Sequence, residues 1–209
     1  MEQEHPALHT LKDIKQMMER SSRFISLSGL SGVAAGICAI TGAWFAQQVI
    51  SGNKPESHDY SSLTISNLIR YNLFTIALLT LGSAIITAFL FTYIKSKKNN
   101  IPIWSTTTKR LMWNFCLPLF AGGVFLLRMT ELGYFGMIAP GCLLFYGIAL
   151  VNASKYTLGE IRYLGYAEII LGLISCWFPE LSLLFWTLGF GVLHIIYGAA
   201  MWWKYDLRR

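Results

Sequence analysis

Six long apolar stretches, separated by short polar turns, fill most of this chain. A helix that crosses the hydrocarbon core of a membrane needs about 20 mostly apolar residues, at a rise of about 1.5 Å per residue. Hydrophobic residues make up 54% of the chain and charged residues 13%, about half the charge of an ordinary soluble domain. The stretches also lack the polar face that a helix on a soluble protein needs. The sequence therefore predicts an all-α polytopic membrane protein with six transmembrane helices.

The predicted organisation has three parts. Residues 1–23 form a cytoplasmic amphipathic segment, residues 24–203 form the six-helix transmembrane domain, and residues 204–209 form a cytoplasmic tail. The six predicted spans are Phe24–Ile50, Tyr71–Ile94, Leu111–Thr130, Leu132–Val151, Ile161–Phe178 and Leu181–Trp203.

The N-terminal segment is not expected to be a cleavable signal peptide, because it is polar and opens on Glu2 and Glu4 instead of a basic stretch. Its apolar residues recur at helical spacing: Leu8, Leu11, Ile14 and Met18. This pattern predicts a short amphipathic helix that lies on the cytoplasmic lipid surface. A solvated helix that leads into the first span is the alternative.

Positive charge is concentrated in alternate turns. Of the 17 Lys and Arg residues, 14 fall on one side of the predicted spans, and only Lys54, Arg70 and Arg128 fall on the other. Basic residues favour the cytoplasmic side, so we expect a multi-pass protein of a bacterial inner membrane with both termini in the cytoplasm. The expected partners are the lipid bilayer and, at the basic face, anionic lipids. No nucleic acid is needed to explain the net charge of +6.

Neither a metal nor a cofactor is expected from the cysteines and histidines. The four cysteines all fall inside predicted spans and form no CxxC pair: Cys38, Cys116, Cys142 and Cys176. We expect them to be small apolar core residues without a disulfide. In the predicted outer loop, residues 51–67, Glu56, His58 and Asp59 lie close together. This group fits a solvated turn better than a metal site.

The first predicted span carries a stripe of small residues at spacings of three and four: Gly29, Gly32, Gly36, Ala39 and Ala43. Small residues on one face of a helix let another backbone approach closely. The stripe therefore predicts a face packed against protein. Two partners remain open, a neighbouring span of the same chain and a second subunit of a homo-oligomer.

Two adjacent predicted spans contain residues that disfavour a helix. These are Pro118, Gly122 and Gly123 in the third span, and Pro140 and Gly141 in the fourth. Backbone groups freed at such sites must be satisfied within the protein or by water. The interruptions are interpreted as packing kinks or as broken helices that line a transport site.

Two ionisable residues lie well inside predicted spans, Glu168 in the fifth and His194 in the sixth. Such groups mark function or tight internal pairing, because ionisable side chains are costly in lipid. Glu168 lies roughly 9 Å beyond Arg162 along its helix, and His194 lies roughly 15 Å before Lys204. Since the two spans are consecutive and antiparallel, we expect the two side chains to lie side by side.

Four further polar residues are candidates for the same cluster: Tyr166, Tyr197, Asn114 and Asn152. His194 and Tyr197 are three residues apart and share a helix face. A carboxyl, an imidazole and phenols gathered in a low dielectric predict a proton relay or a ligand site. The alternative is a satisfied network that only holds helices together. Arg128 and Glu131, at the outer boundary, predict an ion pair.

A pattern of glycines around Phe-Pro marks the last part of the chain. It runs through the segment Gly172–Pro179 and continues at Gly189, Gly191 and Gly198. In this pattern the last ninety or so residues resemble the HdeD-type acid-resistance membrane proteins. The resemblance implies a small six-span inner-membrane protein, and it implies no catalytic residues.

Two classes of function remain. The first is a small-molecule or proton-linked permease, or a ligand-binding membrane protein, with its site at the polar intramembrane cluster. The second is a non-enzymatic stress or scaffold protein of the acid-resistance type. An intramembrane enzyme is disfavoured, because the sequence contains no paired Asp, no HExxH and no GxSxG motif.

Overall fold

The computed structural model describes residues 28–52, 67–99 and 103–205, and all of its regular elements in these ranges are helical. The first five helices are α1 (Gly29–Gly52), α2 (Asn67–Lys98), α3 (Thr106–Glu131), α4 (Ile138–Ala153) and α5 (Ile161–Ser175). The last helical segment consists of α6 (Ser182–Trp186), a π-helical segment (Thr187–Leu193) and α7 (His194–Tyr205). Short 3₁₀ turns flank α4 and α6: Phe135–Met137, Ser154–Tyr156 and Pro179–Leu181.

Five segments are long and apolar enough to cross a membrane: Gly29–Gly52, Ile69–Lys98, Thr106–Glu131, Phe135–Tyr156 and Pro179–Tyr205. The chain is therefore an all-α, multi-pass membrane protein by the length and composition of its helices. The one predicted span that is not among these five segments is the fifth, Ile161–Phe178, which corresponds to α5 with its 15 residues. The predicted N-terminal amphipathic helix, most of the outer loop and the C-terminal tail lie outside the described residues.

Helices α2 and α3 each pack mainly against one other helix, α1 and α4 respectively. Helix α1 packs against α2 on one side and against the π-helical segment and α7 on the other. Helix α4 packs against α3, α5 and α6. Of the 18 most apolar consecutive residues in each span, only 6% are buried in α2 and in α3, whereas 39% are buried in the span that contains α4. The wide apolar faces of α2 and α3 therefore point away from the protein, as lipid-facing surfaces do.

The boundary between the third and fourth spans is set by Gly133. This residue has φ +82°, a left-handed conformation that glycine adopts without steric cost. The Gly133 and Tyr134 N–H groups donate to the carbonyls of Thr130 and Met129, at 3.2 and 3.0 Å, which is the Schellman pattern that closes a helix. The fourth span therefore begins at Phe135, three residues after the predicted start at Leu132, and its α-helical part begins at Ile138.

The small-residue stripe of α1 packs against the last span of the same chain. Gly29, Gly36, Ala39 and Ala43 are buried, and Gly32 is half-buried. A Cβ atom added at Gly32 would lie 3.2 Å from the Cα of Gly198, and one added at Gly36 would lie 2.7 Å from the Gly191 carbonyl oxygen. Glycines thus face glycines across this contact, and the stripe meets a neighbouring span.

A second close contact joins α4 and α5. A Cβ at Gly147 would lie 2.7 Å from the carbonyl oxygen of Gly165, and a Cβ at Gly165 would lie 2.8 Å from that of Gly147. Each glycine therefore leaves room for the backbone of the other helix, which brings the interior face of α5 onto α4. This contact carries Glu168 into the interior of the bundle.

The predicted interruptions of the third and fourth spans are not broken helices. Helix α3 continues through Pro118. Pro140 lies in the first turn of α4, where a missing N–H leaves no helical bond unmade. Gly122 and Gly141 instead make room for Phe145 and Leu126, which pack between α3 and α4. The irregular backbone lies in the last span, at the π-helical segment.

The four cysteines are free thiols in the structure, and their surroundings differ from the prediction. Cys38, Cys142 and Cys176 are half-buried, whereas Cys116 is exposed. The expectation of a core position was wrong for Cys116, because it lies on α3, whose surface is mostly outside the protein core. In a lipid-facing helix an apolar side chain needs no protein contact.

Contacts between turns show which helix ends lie together. The Ser182 hydroxyl donates to the Gly136 carbonyl at 3.2 Å, so the turn before α4 lies beside the turn before α6. At the other end of the bundle, Lys204 Nζ lies 2.6 Å from Glu160 Oε1. Helix α5 therefore runs between the same two ends as α4 and the last span. We call these the Pro179 end and the Glu160 end.

Candidate functional site

Glu168 of α5 and His194 of α7 lie together inside the bundle. His194 Nδ1 is 3.4 Å from Glu168 Oε1. The Glu168 side chain is fully buried and that of His194 is 8% exposed. The contact between Gly165 of α5 and Gly147 of α4 turns Glu168 toward the interior. The last span, which carries His194, lies between α1 and α4 and so brings the imidazole to the same place.

The π-helical segment supplies a backbone acceptor to His194. Its ring Nδ1 lies 3.0 Å from the Gly189 carbonyl oxygen, while its own backbone N–H donates to the Gly191 carbonyl. A π-helical turn shifts carbonyls out of the regular α-helical ladder, and such turns are frequent at functional sites. Because a carbonyl only accepts, Nδ1 carries a hydrogen. That one N–H therefore lies between two acceptors, the Gly189 carbonyl and the Glu168 carboxyl.

Tyr146 of α4 binds the other nitrogen of the ring. Its hydroxyl lies 2.7 Å from His194 Nε2. In a neutral imidazole with the hydrogen on Nδ1, Nε2 is an acceptor and the tyrosine hydroxyl donates to it. Both ring nitrogens are then satisfied without a charge on the ring. The three helices α4, α5 and α7 thus each contribute one titratable group to a Glu168–His194–Tyr146 cluster.

Gly189 also allows the carboxyl to approach the backbone of the last span. A Cβ at this position would lie 2.5 Å from Glu168 Oε2 and would also collide with the Leu143 side chain. Leu143 is fully buried. A residue larger than glycine at this point would therefore displace the carboxyl from its place.

Neither carboxyl oxygen of Glu168 has a hydrogen-bond partner among the residues that the structure describes. An ionised carboxylate buried in this way has a penalty of several kcal/mol. A carboxyl that carries a proton, or that shares one with the imidazole beside it, avoids most of this penalty. The geometry is therefore suited to binding and exchanging a proton.

Aromatic rings surround the cluster on the side of the Pro179 end. The Phe190 ring lies 5.1 Å from that of Tyr146 and 6.0 Å from that of His194, between ring centroids. Trp186 in turn lies 5.1 Å from Phe190. Together with Leu143, these side chains separate the cluster from that end of the bundle with apolar surface.

The other sequence-predicted residues lie in different places. Tyr197 is half-buried, and its hydroxyl is enclosed without a hydrogen-bond partner among the described residues. Tyr166 is 47% exposed and makes an edge-to-face contact with Tyr163. The Asn114 amide donates to the Arg110 carbonyl of its own helix. Asn152 is half-buried in the last turn of α4, roughly 9 Å along the helix from Tyr146. Tyr166 and Asn114 are thus turned away from Glu168.

Two further predictions concern charged groups. Arg128 and Glu131 form an ion pair at 2.8 Å, with both side chains about two-thirds exposed. In the parts of the chain that the structure describes, no group of His, Cys, Asp and Glu residues is arranged to hold a metal ion. The acidic group of the outer loop, around His58, lies outside these parts.

Sequence reasoning missed Tyr146 and Gly189 as members of the cluster. Tyr146 stands in an otherwise apolar part of the fourth span, and an enclosed phenol needs a partner for its hydroxyl. That signal identifies a candidate but not the partner. Gly189 gave no separate signal, because it is one of several glycines in the last span.

A second polar cluster lies at the Glu160 end. Glu160 Oε1 accepts hydrogen bonds from Lys204 Nζ and from the Tyr205 hydroxyl, both at 2.6 Å. Partial burial raises the pKa of Glu160, but the hydrogen bonds from Lys204 and Tyr205 outweigh it and lower the pKa below its usual value. The Glu160 carboxylate therefore joins the end of the last span to the beginning of α5.

Comparisons with protein-family models, with curated proteins and with solved structures found no match for this chain. The resemblance to HdeD-type proteins stays a prediction from the glycine pattern around Phe178 and Pro179. Function is therefore argued from the geometry of the described residues.

Proposed function

We propose that this multi-pass membrane protein binds and releases a proton at the Glu168–His194–Tyr146 cluster, and that it is a proton-linked permease for a small molecule or ion. The observation that carries the proposal is the fully buried Glu168 carboxyl, which lies beside an imidazole and has no hydrogen-bond partner among the described residues. Ionisable groups inside membrane spans commonly serve as proton relays. The imidazole is held in place by two hydrogen bonds, one that it donates to the Gly189 carbonyl and one that it accepts from the Tyr146 hydroxyl. The Nδ1 hydrogen therefore lies next to the carboxyl.

Infrared difference spectroscopy tests proton binding directly. The purified protein in lipid vesicles would be compared at alkaline and acidic pH, and a protonated carboxyl is detected by its C=O stretch. We expect this band in the wild type and its loss in Glu168→Gln, whose amide keeps the shape of the side chain. A Glu131→Gln variant is the control, because Glu131 is exposed in its ion pair with Arg128. A band that persists in Glu168→Gln would refute proton binding at this site.

Transport is tested with the same variant. If proton binding is coupled to transport, Glu168→Gln should keep the fold but abolish proton uptake driven by a substrate gradient across vesicles. Candidate substrates can be screened by uptake in cells that express the protein. Unaltered proton-coupled uptake by Glu168→Gln would contradict the permease assignment.

We also propose that all six helical segments cross a bacterial inner membrane, with both termini in the cytoplasm. Helix α5 has 15 residues and a length of roughly 22 Å at 1.5 Å per residue, and the turn that follows it, up to Phe178, extends it toward the hydrocarbon thickness of about 30 Å. The support is that α5 runs between the same two ends as α4. The excess of Lys and Arg in alternate turns supports a cytoplasmic Glu160 end.

Cysteine labelling in intact cells tests this topology. In a variant without native cysteines, single cysteines replace Lys155 and Glu180, which are exposed and flank α5. We expect a membrane-impermeant reagent to label the cysteine at position 180 and not that at position 155. A cysteine in place of Lys97 is a second inside marker. Equal labelling of positions 155 and 180 would mean that α5 does not cross.

The second candidate function is a non-enzymatic stress or scaffold protein of the acid-resistance type. The observation that favours it is the close packing of Leu143, Gly189 and Phe190 around the cluster. In this case the cluster stabilises the fold and transports nothing. Glu168→Gln would then be nearly neutral for stability and for uptake across vesicles, while Glu168→Ala would destabilise the protein by leaving a cavity beside Leu143.

A further inference from the structure

The last span presents one continuous face to α4 and α5. His194, Tyr197, Met201 and Tyr205 follow one another at steps of three and four residues, which places them on the same side of α7. Tyr197, Met201 and Tyr205 belong to the core cluster around Leu150, Leu158, Ile161 and Leu164, which Tyr146 also joins. Three phenols and the imidazole thus lie along the interior between Glu168 and the Glu160 end.

The Tyr197 hydroxyl occupies the middle of this face. It is buried and has no hydrogen-bond partner among the residues that the structure describes. Tyrosine hydroxyls in an interior usually find a partner, because an enclosed unpaired donor is unfavourable. A hydroxyl is both a donor and an acceptor, so it can receive a proton on one side and release one on the other.

The Glu160 end connects this face to water. The Tyr205 hydroxyl donates to Glu160 Oε1 at 2.6 Å, and the Glu160 side chain is 30% exposed. A carboxylate in contact with water exchanges protons with it. This face of α7 is therefore connected, through Tyr205, to the Glu160 carboxylate, which can exchange protons with water.

The opposite direction from Glu168 is apolar. Ser175 is the next polar residue of α5, roughly 10.5 Å farther along the helix, and all residues between it and Glu168 are Ile, Leu or Gly. Gly172 packs closely against Leu143, since a Cβ added at Gly172 would lie 3.0 Å from the Leu143 Cβ. Phe190 and Trp186 cover the same side. No titratable side chain of α5 lies between Glu168 and the Pro179 end.

From this asymmetry we propose that Glu168 exchanges its proton with the Glu160 end of the bundle, through His194, Tyr146 and Tyr197. This inference rests on the proposed proton binding and specifies its route. Tyr146 donates its proton to His194 Nε2 while the Nδ1 hydrogen moves to Glu168. Tyr197 restores the proton to Tyr146, directly or through water, and the Glu160 end restores the proton to Tyr197 from water. Each step transfers one proton from an O–H or N–H group to a neighbouring lone pair, so that one proton enters at the Glu160 end and Glu168 gains one; release follows the same steps in reverse.

The experiment measures how fast the Glu168 carboxyl exchanges hydrogen for deuterium. The full chain in lipid vesicles is held at the acidic pH at which the carboxyl band appears, and the medium is changed to D₂O while the shift of that band is followed. Tyr197→Phe removes only the central hydroxyl of the route. We expect it to slow the exchange by about 10²-fold, the lower end of what a positioned proton-transfer group contributes.

Ser175→Ala is the matched control, since it also removes one buried hydroxyl that has no hydrogen-bond partner in the described part of the chain, but toward the Pro179 end. We expect its exchange rate to equal that of the wild type. Slow exchange in Ser175→Ala with normal exchange in Tyr197→Phe would show that the route opens at the opposite end. Equal rates in all three proteins, or equal slowing in both variants, would also overturn the proposal. If the wild type shows no carboxyl band that depends on Glu168, it is the proposed function that fails.

Discussion

Replacing Gly198 by alanine tests the contact between α1 and the last span. A Cβ at this position would lie 2.6 Å from the Val33 nitrogen and 2.7 Å from the Gly29 carbonyl oxygen. Ordinary contact distances are about 3.5 Å or more, so the two helices must separate by about 1 Å. Both nearby atoms belong to helix backbone, which cannot rotate away as a side chain can. The whole contact must therefore adjust.

The expected magnitude follows from two opposing terms. Alanine is favoured over glycine in a helix by about 1 kcal/mol, whereas overpacking of a tight interior typically costs about 1–3 kcal/mol. Because the obstacle is backbone, we expect the upper part of that range and a net destabilisation of about 1–2 kcal/mol. Gly82→Ala on α2 is the control, since apart from its chain neighbours and the backbone of its own helix no described atom lies within 4 Å of its added Cβ. This variant should be slightly more stable than the wild type, because alanine has the higher helix propensity and nothing is overpacked.

The assay is thermal unfolding of both variants in the same detergent and at the same heating rate. A difference of about 2–3 kcal/mol between them corresponds to roughly 5–10 °C for a chain of this size. Gly198→Ala should melt below the wild type and Gly82→Ala at or above it. If Gly198→Ala melts as high as Gly82→Ala, the two helices do not pack through their glycines.

Three further outcomes are expected. Gly36→Leu should lower the unfolding temperature more than Gly198→Ala does, because a larger side chain enters the same contact; unchanged stability in detergent would show that the stripe faces lipid. Tyr146→Phe should destabilise by about 1–3 kcal/mol, because it leaves His194 Nε2 buried without a donor; a double-mutant cycle with His194 would detect no coupling if the bond is absent. Glu160 has a pKa below its usual value, so its contribution to stability is present above the unfolded-state pKa of about 4.3 and is lost as the pH falls through the lower folded-state pKa. Glu160→Gln should therefore be less stable than the wild type at neutral pH and equal to it at strongly acidic pH, in unfolding experiments at both pH values.

Several features of the fold follow from local properties of the chain. Hydropathy and length predict helices that cross a membrane, since a span in lipid must be apolar and must satisfy its own backbone. The Arg128–Glu131 pair follows from a separation of three on one helix. The proximity of Glu168 and His194 follows from depths that differ by only about one helical turn on consecutive antiparallel spans, because few arrangements keep both groups out of lipid.

Other features depend on contacts between residues far apart in the chain. The stripe of α1 indicates close packing, but only the tertiary structure shows that Gly191 and Gly198 of the last span lie against it. Pro118 disfavours a helix on propensity alone, yet α3 continues through it. Asn114 has a suitable depth for the cluster, yet its amide bonds to its own helix. Rotation about a helix axis decides such outcomes, and neighbouring helices set that rotation.

By itself, the sequence determined that this protein is a multi-pass, all-helical membrane protein with one carboxyl and one imidazole in its interior. Composition and spacing suffice for that, because lipid imposes the same local demand on every span. Only the tertiary structure decided that Tyr146 binds His194. Only it decided that the π-helical segment places the Gly189 carbonyl against His194 and leaves room at Gly189 for the Glu168 carboxyl. These depend on how α4, α5 and the last span pack together, and close packing between helices is a property of pairs of surfaces that no single segment contains.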